Sequence, residues 1–421
     1  MHISYDLSEI FPNINAVKIN NECNENNSNK NNDTMISPNV LCSSYKTENG
    51  EYSVLKYDKE KITNENVSSL GLFRSVITKD GVMKGFSPPK SLNREYFMEK
   101  YPITKNKKNN CYAEEFVEGT MINLFYDDTI NDWVICTKSK VGARNVFFKE
   151  STFSYDKTFR FMFLNAAEEI GINFDKLPKD YCYSFVLQHP KNRIVTLFIE
   201  SKIYLIGCYK INNETNVVTE ISRSEKEKII NNMSIDLPNV YEIDSYENMY
   251  ERWANKDLHY TTMGILIKND STGERTKIRN PNYEYVRRLR GNQPKLQYRY
   301  LQLRQERNVT NYLKYFKEAK DDFTRYKNEV HDYTAKLYSN YISCYVKKDR
   351  PLINYTLQYR NHMFKLHQLY LDTLKDNNEK ITYYKVIEYV NNLHSAQLMH
   401  NINFDKYKQC EKETEVNEDV V

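Results

Sequence analysis

The sequence predicts an α+β protein, with a domain of mixed antiparallel sheets and helices followed by an all-α C-terminal domain. Three observations predict it. Short apolar runs separated by turn residues fill the chain up to about residue 300; beyond Asn308 glycine disappears and Tyr, Leu and Phe recur at helical spacing; and 421 residues exceed one ordinary domain, favouring two or three units with cores of their own.

The opening segment, 1–45, carries "NECNENNSNKNNDTMISPN", an Asn-rich stretch with no apolar period, expected as a loop or disordered insertion. From "EYSVLKY" to Tyr209 the runs "LGLFRSVI", "TMINLFY", "WVICTK", "YCYSFVLQ", "RIVTLFI" and "KIYLIGCYKI" read as strands. One helix interrupts them, "KTFRFMFLNAAEEIG", with Phe159, Met162, Phe163 and Ala166 on one face and Gly171 as its stop. A second helical patch, "SRSEKEKIINNM", precedes a last strand, "MGILIKN", and this domain is expected over 46–300. In the helical region Val330, Tyr333, Leu337 and Tyr341 make one face, Met363, Leu366, Tyr370 and Leu374 another, and Thr382 is placed as an N-cap. That domain is expected over 308–405, ahead of an acidic tail at 406–421.

Composition excludes several classes. There is no apolar run of the ~18 residues a membrane helix needs, and "MHISYDLSEIFPN" lacks the basic start and apolar run of a secretion signal. The expectation is a cytoplasmic protein with no membrane partner. The eight cysteines are scattered without a CxxC pair, and His362 and His367 lie five apart, off a common face, so neither a disulfide framework nor a metal pair is expected. Abundant Asn, Lys, Ile and Tyr suit an AT-rich genome, viral or parasitic, which for a virus puts the protein in host cytoplasm or virion.

Between Leu70 and Tyr285 the segments "EEFVEGTMINLFYD", "WVICTKSKVGARN", "PKNRIV" and "TTMGILIKNDSTGERTKIRNP", in that order, resemble the RNA ligase 1 family of T-even phage type, within the lysyl-nucleotidyltransferase superfamily. "EEFVEGTMINLFYD" resembles its Lys-x-Asp-Gly-Ser nucleophile motif at Glu118, Gly119 and Thr120, with Phe116 in place of the lysine. "WVICTKSKVGARN" resembles the next strand and basic turn, offering Lys138, Lys140 and Arg144 as phosphate contacts. "PKNRIV" reproduces a family turn from Pro190 to Val195 with Arg193 in it, which puts Phe185 at an aromatic position and Val186 where a ribose-binding glutamate belongs. "TTMGILIKNDSTGERTKIRNP" resembles the late motif pair, with Met263 for a metal-associated glutamate and Lys277 and Arg279 as its cations.

The resemblance implies an ATP-grasp-like ligase nucleotidyltransferase domain and a chemistry in which a lysine attacks ATP, AMP passes to an RNA 5′-phosphate and a 3′-hydroxyl displaces it, with Mg²⁺ neutralising phosphates. A phenyl ring at 116 has no lone pair, while the cationic positions persist. The leading expectation is a catalytically degenerate RNA-ligase-like protein that binds RNA or nucleotide phosphates, Phe116 and Phe185 flanking a base. An alternative is an active ATP-dependent RNA ligase in which Lys90 or Lys138 is the nucleophile and Glu114, Glu115 or Glu118 binds metal, ATP and Mg²⁺ being needed only in that case. A third is a viral assembly protein whose Tyr-rich helices form an interface.

Two basic features carry simpler readings beside these. Lys90 follows a Pro-Pro turn, where a solvated lysine is the ordinary outcome. Lys277–Arg307 has nine basic residues against two acids, a net of +7 that exceeds the +4 of the whole chain. With tyrosines interleaved, Arg287, Arg288, Arg290, Lys295 and Arg299 suit a nucleic-acid surface; a solvated basic helix with its tyrosines turned inward suits them equally.

Overall fold

The computed structural model describes residues 2–10, 34–37, 39–47, 50–104, 109–147 and 154–408. The chain forms two compact units, one of Met1–Phe147 with Ser151–Arg287, the other essentially Arg288–Val421. The first is built on three antiparallel sheets and the second is helical, which is the α+β class with a helical C-terminal region.

The largest sheet has six strands, β1 (Ile3–Asp6), β12 (Val217–Glu220), β11 (Lys202–Asn212), β10 (Tyr181–Gln188), β8 (Thr120–Asp127) and β9 (Asp132–Thr137), in that spatial order. A five-stranded sheet holds β2 (Thr34–Ser37), β3 (Val40–Thr47), β4 (Gly50–Tyr57), β5 (Val76–Lys79) and β6 (Val82–Gly85) in sequence order. The third sheet runs β13 (Val240–Tyr241), β7 (Cys111–Glu115), β14 (Gly264–Asn269), β15 (Arg275–Arg279).

Period-two alternation sorts the side chains of these strands. On β10, Cys182 faces the five-stranded sheet and packs with Phe86 and Tyr209, while Tyr183, Phe185 and Leu187 face the helix Phe159–Glu169. That helix starts where Thr158 accepts from the Phe161 amide (3.2 Å) and buries Phe159, Met162, Phe163 and Ala166, the face read from sequence. On the third sheet Ala113, Ile265, Ile267 and Ile278 pack against Phe97 and Met249 of the flanking helices Arg94–Lys100 and Tyr246–Trp253. Its other face carries Glu114, Leu266, Lys277 and their alternates, and it is this face that builds the candidate site.

A second cluster in this unit is polar yet buried. Glu220 at the end of β12 accepts from Lys226 (2.7 Å), Lys268 (2.8 Å) and the Tyr5 hydroxyl (2.9 Å). Tyr5 brings the N-terminal strand with it, so residues expected to stand apart in a 1–45 segment are part of the first unit: β1 pairs with β12 and buries Ile3, Tyr5 and Leu7. Most of the Asn-rich stretch and of the acidic tail lies outside the described residues.

Two strand expectations are corrected. "LGLFRSVI" is a helical turn at Val67–Leu70 followed by hydrogen-bonded turns, and only from Val76 is it a strand, because the Leu72 and Phe73 amides bond back to Ser69 and Leu70. "RIVTLFI" is not a strand. The main-chain donors of Val195 and Thr196 go to the Glu118 carboxylate instead of a neighbouring strand, leaving Leu197 62 % and Ile199 88 % exposed.

In the second unit Val330, Tyr333, Leu337 and Tyr341 are buried along the helix Lys320–Tyr341, and Met363 and Leu366 along Leu357–Leu369. Thr382 caps Tyr383–Asn391 by accepting from the Lys385 amide. The change of grammar expected between 300 and 308 falls inside this unit, since the helix Leu296–Gln305 packs on Lys320–Tyr341 and Ser395–Ile402. His362 is buried between the Tyr389 hydroxyl (2.8 Å) and the Asn401 amide (2.7 Å), which makes it a packing histidine.

Candidate functional site

Cross-strand register brings Glu114, Leu266 and Lys277 into one row, because Leu266 pairs with Glu114 on one side and Lys277 on the other. Phe116, two residues beyond Glu114, shares that face. Opposite them Met121 of β8 and Val186 of β10, themselves paired, close a cavity of about 260 Å³ that also takes in Ile206, Met263 and Tyr283. Two glycines permit the close approach. A Cβ on Gly119 would lie 2.4 Å from the Leu187 carbonyl oxygen and one on Gly264 2.2 Å from that of Ile278, both at positive φ.

One wall of this cavity is cationic. Strand β15 reads "RTKIR", so Arg275, Lys277 and Arg279 project to one side while Thr276 and Ile278 are buried on the other. Arg74, Lys277 and Arg279 continue into a second cavity of about 330 Å³, shared with Lys90, Arg94, Lys138 and Tyr57 and, among the described residues, lined by no acidic one. Arg74 and Arg275 are held in place by the Pro88 carbonyl, at 3.2 Å each, and Arg275 also by that of Pro89 at 2.8 Å.

Crowded cations titrate low. Burial, with Arg275, Arg74, Arg279 and Lys90 adding repulsion, lowers Lys277 to about 6. Burial and then Arg74 and the lysines at 59, 56 and 90 take Lys138 to about 8, and burial with Arg74 lowers Lys90. The Lys277 amine stands 4.9 Å from the centre of the Phe116 ring. Such a ring favours an ammonium by about 0.5–2 kcal/mol, whereas each tenfold in protonation is worth roughly 1.4 kcal/mol. The ring restores only part of the drop from the ordinary 10.5 that burial and repulsion impose.

The nearby acids are committed. Glu118 is buried, which raises its pKa, and its carboxylate accepts from the Thr196 hydroxyl (2.6 Å) and the amides of Val195 (2.7 Å) and Thr196 (3.0 Å). Glu115 accepts from the side chain and main chain of Asn239, and Glu284 is bound by Arg279 and Arg287. Burial raises Glu114 toward its neutral form, against the pull of Lys268 and Lys226. With Val186 and Met263 where the resemblance expects carboxylates, these residues do not fit a protein-held Mg²⁺; among the described residues no group of three His, Cys, Asp or Glu is arranged for a metal.

Of the residues read from sequence, Phe116, Lys277 and Arg279 meet in the first cavity and Lys90 and Lys138 join them in the second. Others go elsewhere. Phe185 is a correction: its ring is fully buried against Phe163 and Tyr183, because alternation on β10 gives the cavity to Val186. Lys140 is exposed at a hairpin end, Arg144 lines a different cavity with Arg160, and Arg193 turns its Nε to the Val195 carbonyl (3.0 Å). The basic segment is not one surface either. Arg287 reaches the first cavity and Arg288 and Lys295 are exposed, but Arg290 and Arg299 are buried, Arg299 donating to the carbonyls of Leu289 (2.9 Å) and Arg288 (3.0 Å).

Sequence reading missed Arg74, Arg94 and Arg275. The strand period in "RTKIR" already groups Arg275 with Lys277; nothing local marks Arg74, which arrives from another sheet region. The cysteines at 136 and 182 are buried, with pKa values pushed up to about 12, and are inert packing groups.

Sequence comparison gives this geometry a context. No family model matches the chain. Over 185 residues it is 28 % identical to an RNA ligase of Rhodothermus phage RM378, covering 43 % of this chain and 39 % of that protein. The chain is RNA-ligase-like. It is also 26 % identical over 266 residues to the "Immediate-early protein ICP-46 homolog" of Invertebrate iridescent virus 6, covering 58 % of this chain and 56 % of that one. It thus spans about half the length, or less, of these two viral relatives. Among solved structures an archaeal ATP-dependent RNA ligase aligns at a TM-score of 0.36 with 10 % identity, covering 68 % of each chain, and a putative ATP-dependent DNA ligase from Aquifex aeolicus at 0.37 with 12 % identity, covering 79 % of this chain and 77 % of that one. No helix among the described residues is long and apolar enough to cross a membrane.

Proposed function

We propose that this RNA-ligase-like protein binds the phosphates of a nucleotide or an RNA 5′ end in the cationic cavities, and that position 116 performs no covalent chemistry. The observation that carries the reading is the wall shared by Arg74, Lys90, Arg94, Lys138, Lys277 and Arg279, in a cavity whose lining among the described residues includes no carboxylate. Six basic side chains gather at the cost of mutual repulsion: Arg94 and Arg279 pair with Glu95 and Glu284, three are lysines held below their ordinary pKa, and an anion in the cavity would stabilise them. The apolar floor of Phe116, Met121, Val186 and Met263 suits a base or sugar beside those phosphates. Adenylylation of the ordinary kind needs an amine at 116, which a phenyl ring cannot supply.

Binding of ATP and of a short 5′-phosphorylated RNA, measured across a salt series, tests this. The expected result is affinity that falls steeply with salt and weakens in Arg74→Ala and Lys138→Ala. Salt-insensitive binding that ignores both substitutions, or no binding, would remove the proposal.

A further inference from the structure

We propose that the polyphosphate held by the cationic cavity is metal-free, so that Mg²⁺ competes with this wall for a nucleoside triphosphate instead of bridging the two. The inference rests on the phosphate-binding reading above and specifies the ligand as the fully ionised nucleotide.

Donor chemistry is the first argument. A protein that takes a magnesium–nucleotide complex offers oxygen donors, carboxylates above all, to the cation. The second cavity offers nitrogen cations instead, and its side-chain oxygens among the described residues are the neutral hydroxyls of Tyr57, Ser91 and Thr276. The Thr276 hydroxyl already donates to the Leu92 carbonyl (3.2 Å). The main-chain carbonyls of Pro88, Pro89 and Ser91 are used as well, accepting from Arg74, Arg275 and Lys90. In the first cavity Glu115 is bound by Asn239 and burial holds Glu114 toward its neutral form, so neither presents a spare carboxylate.

Charge matching is the second. Arg94 and Arg279 have acid partners in Glu95 and Glu284. Arg74, Lys90, Lys138 and Lys277 form no ion pair among the described residues; their polar contacts are the carbonyls just named for the first two and the faces of the Tyr57 and Phe116 rings for the others. These bases complement the tetraanion of a free triphosphate. Chelated Mg²⁺ cancels half of that charge and sets a divalent cation among like charges, in a cleft that screens less than bulk water. The bare anion also restores protons to Lys277 and Lys138, which stand at about 6 and about 8 without it.

Placement agrees with both. Lys277 lines the two cavities, so base and sugar fit against Phe116, Val186 and Met263 while the phosphates cross this amine toward Arg74, Lys90 and Lys138. Along that path the described residues put a base beside the phosphates and leave no carboxylate for a metal to share.

The test titrates the full chain with ATP by calorimetry, once in EDTA and once with MgCl₂ in excess over nucleotide, at one ionic strength set with KCl. Expected is tighter binding in EDTA, with Mg²⁺ weakening it about tenfold or more. AMP, which scarcely chelates Mg²⁺, should change less than about twofold between the two conditions. In the Arg74→Ala, Lys138→Ala double variant free ATP should bind more weakly and most of the difference between the conditions should vanish. Binding that requires Mg²⁺ or is indifferent to it, an equal loss for AMP, or an undiminished difference in the double variant overturns the inference and leaves the phosphate-binding reading intact. No binding of ATP or of a short 5′-phosphorylated RNA by the wild-type chain in either condition overturns both.

Discussion

Two groups of desolvated lysines sit in the first unit and have opposite fates. Lys226 and Lys268 converge on Glu220; burial pulls Lys226 down, but attraction and hydrogen bonding to that carboxylate reverse it and leave the amine above its ordinary value. Lys277 is half-buried and lacks the acid, and its pKa falls to about 6. One carboxylate within 3 Å therefore decides whether a desolvated lysine stays a charged strut or loses its proton near neutral pH. The first cluster ties β1, β12 and β14 together, and the second leaves a largely neutral amine at a cavity.

The largest way to break this contrast is Glu220→Gln, which leaves two buried ammonium groups unpaired and is expected to cost about 3–5 kcal/mol in urea unfolding. Burial raises the Glu220 carboxyl, but Lys226 and Lys268 more than offset it and hold it well below the ordinary 4.5. Its folded value lies below its unfolded one, so the contribution is full above about pH 4.5 and drains away as pH falls further. A variant whose acid limb matches the wild type would show the cluster to be idle. Next is Phe185→Ala, which opens the core beside Phe163 and should cost about 3–5 kcal/mol while leaving nucleotide affinity unchanged; a selective loss of binding would return this ring to the site.

Lys277→Met should have the opposite sign. The folded chain binds fewer protons at this amine than the unfolded chain between pH 6 and 10.5, so wild-type stability climbs with pH across that window. The variant is expected to be more stable at pH 7 by about 1–3 kcal/mol, partial exposure discounting the full effect, with the gap closing toward pH 10 in thermal melts. A destabilised variant would mean that the amine is satisfied. The smallest expected effect separates the cavity from the surface: Arg74→Ala should weaken ATP binding about tenfold, and the exposed Arg288→Ala less than about twofold.

The sequence by itself determined the fold class, most strands and the helical faces, because periods of two and 3.6 record burial directly. It also places a phenyl ring at 116, which cannot act as an amine in any fold. Where a side chain chain-distant from the motif contributes, or where one position on a strand flips the face, sequence was silent. Phe185 and Val186 differ by one residue, yet one is core and the other wall, and that depended on which side of β10 the helix Phe159–Glu169 covers. "RIVTLFI" carries a strand's composition but became a turn because Glu118, distant in sequence, took its amides. The basic run from Lys277 to Arg307 has one composition and several environments. Only tertiary structure could set Arg74 beside Lys277 and withhold a carboxylate from both, because charge repulsion and desolvation depend on which elements converge in space, and that is not written in any local stretch of the chain.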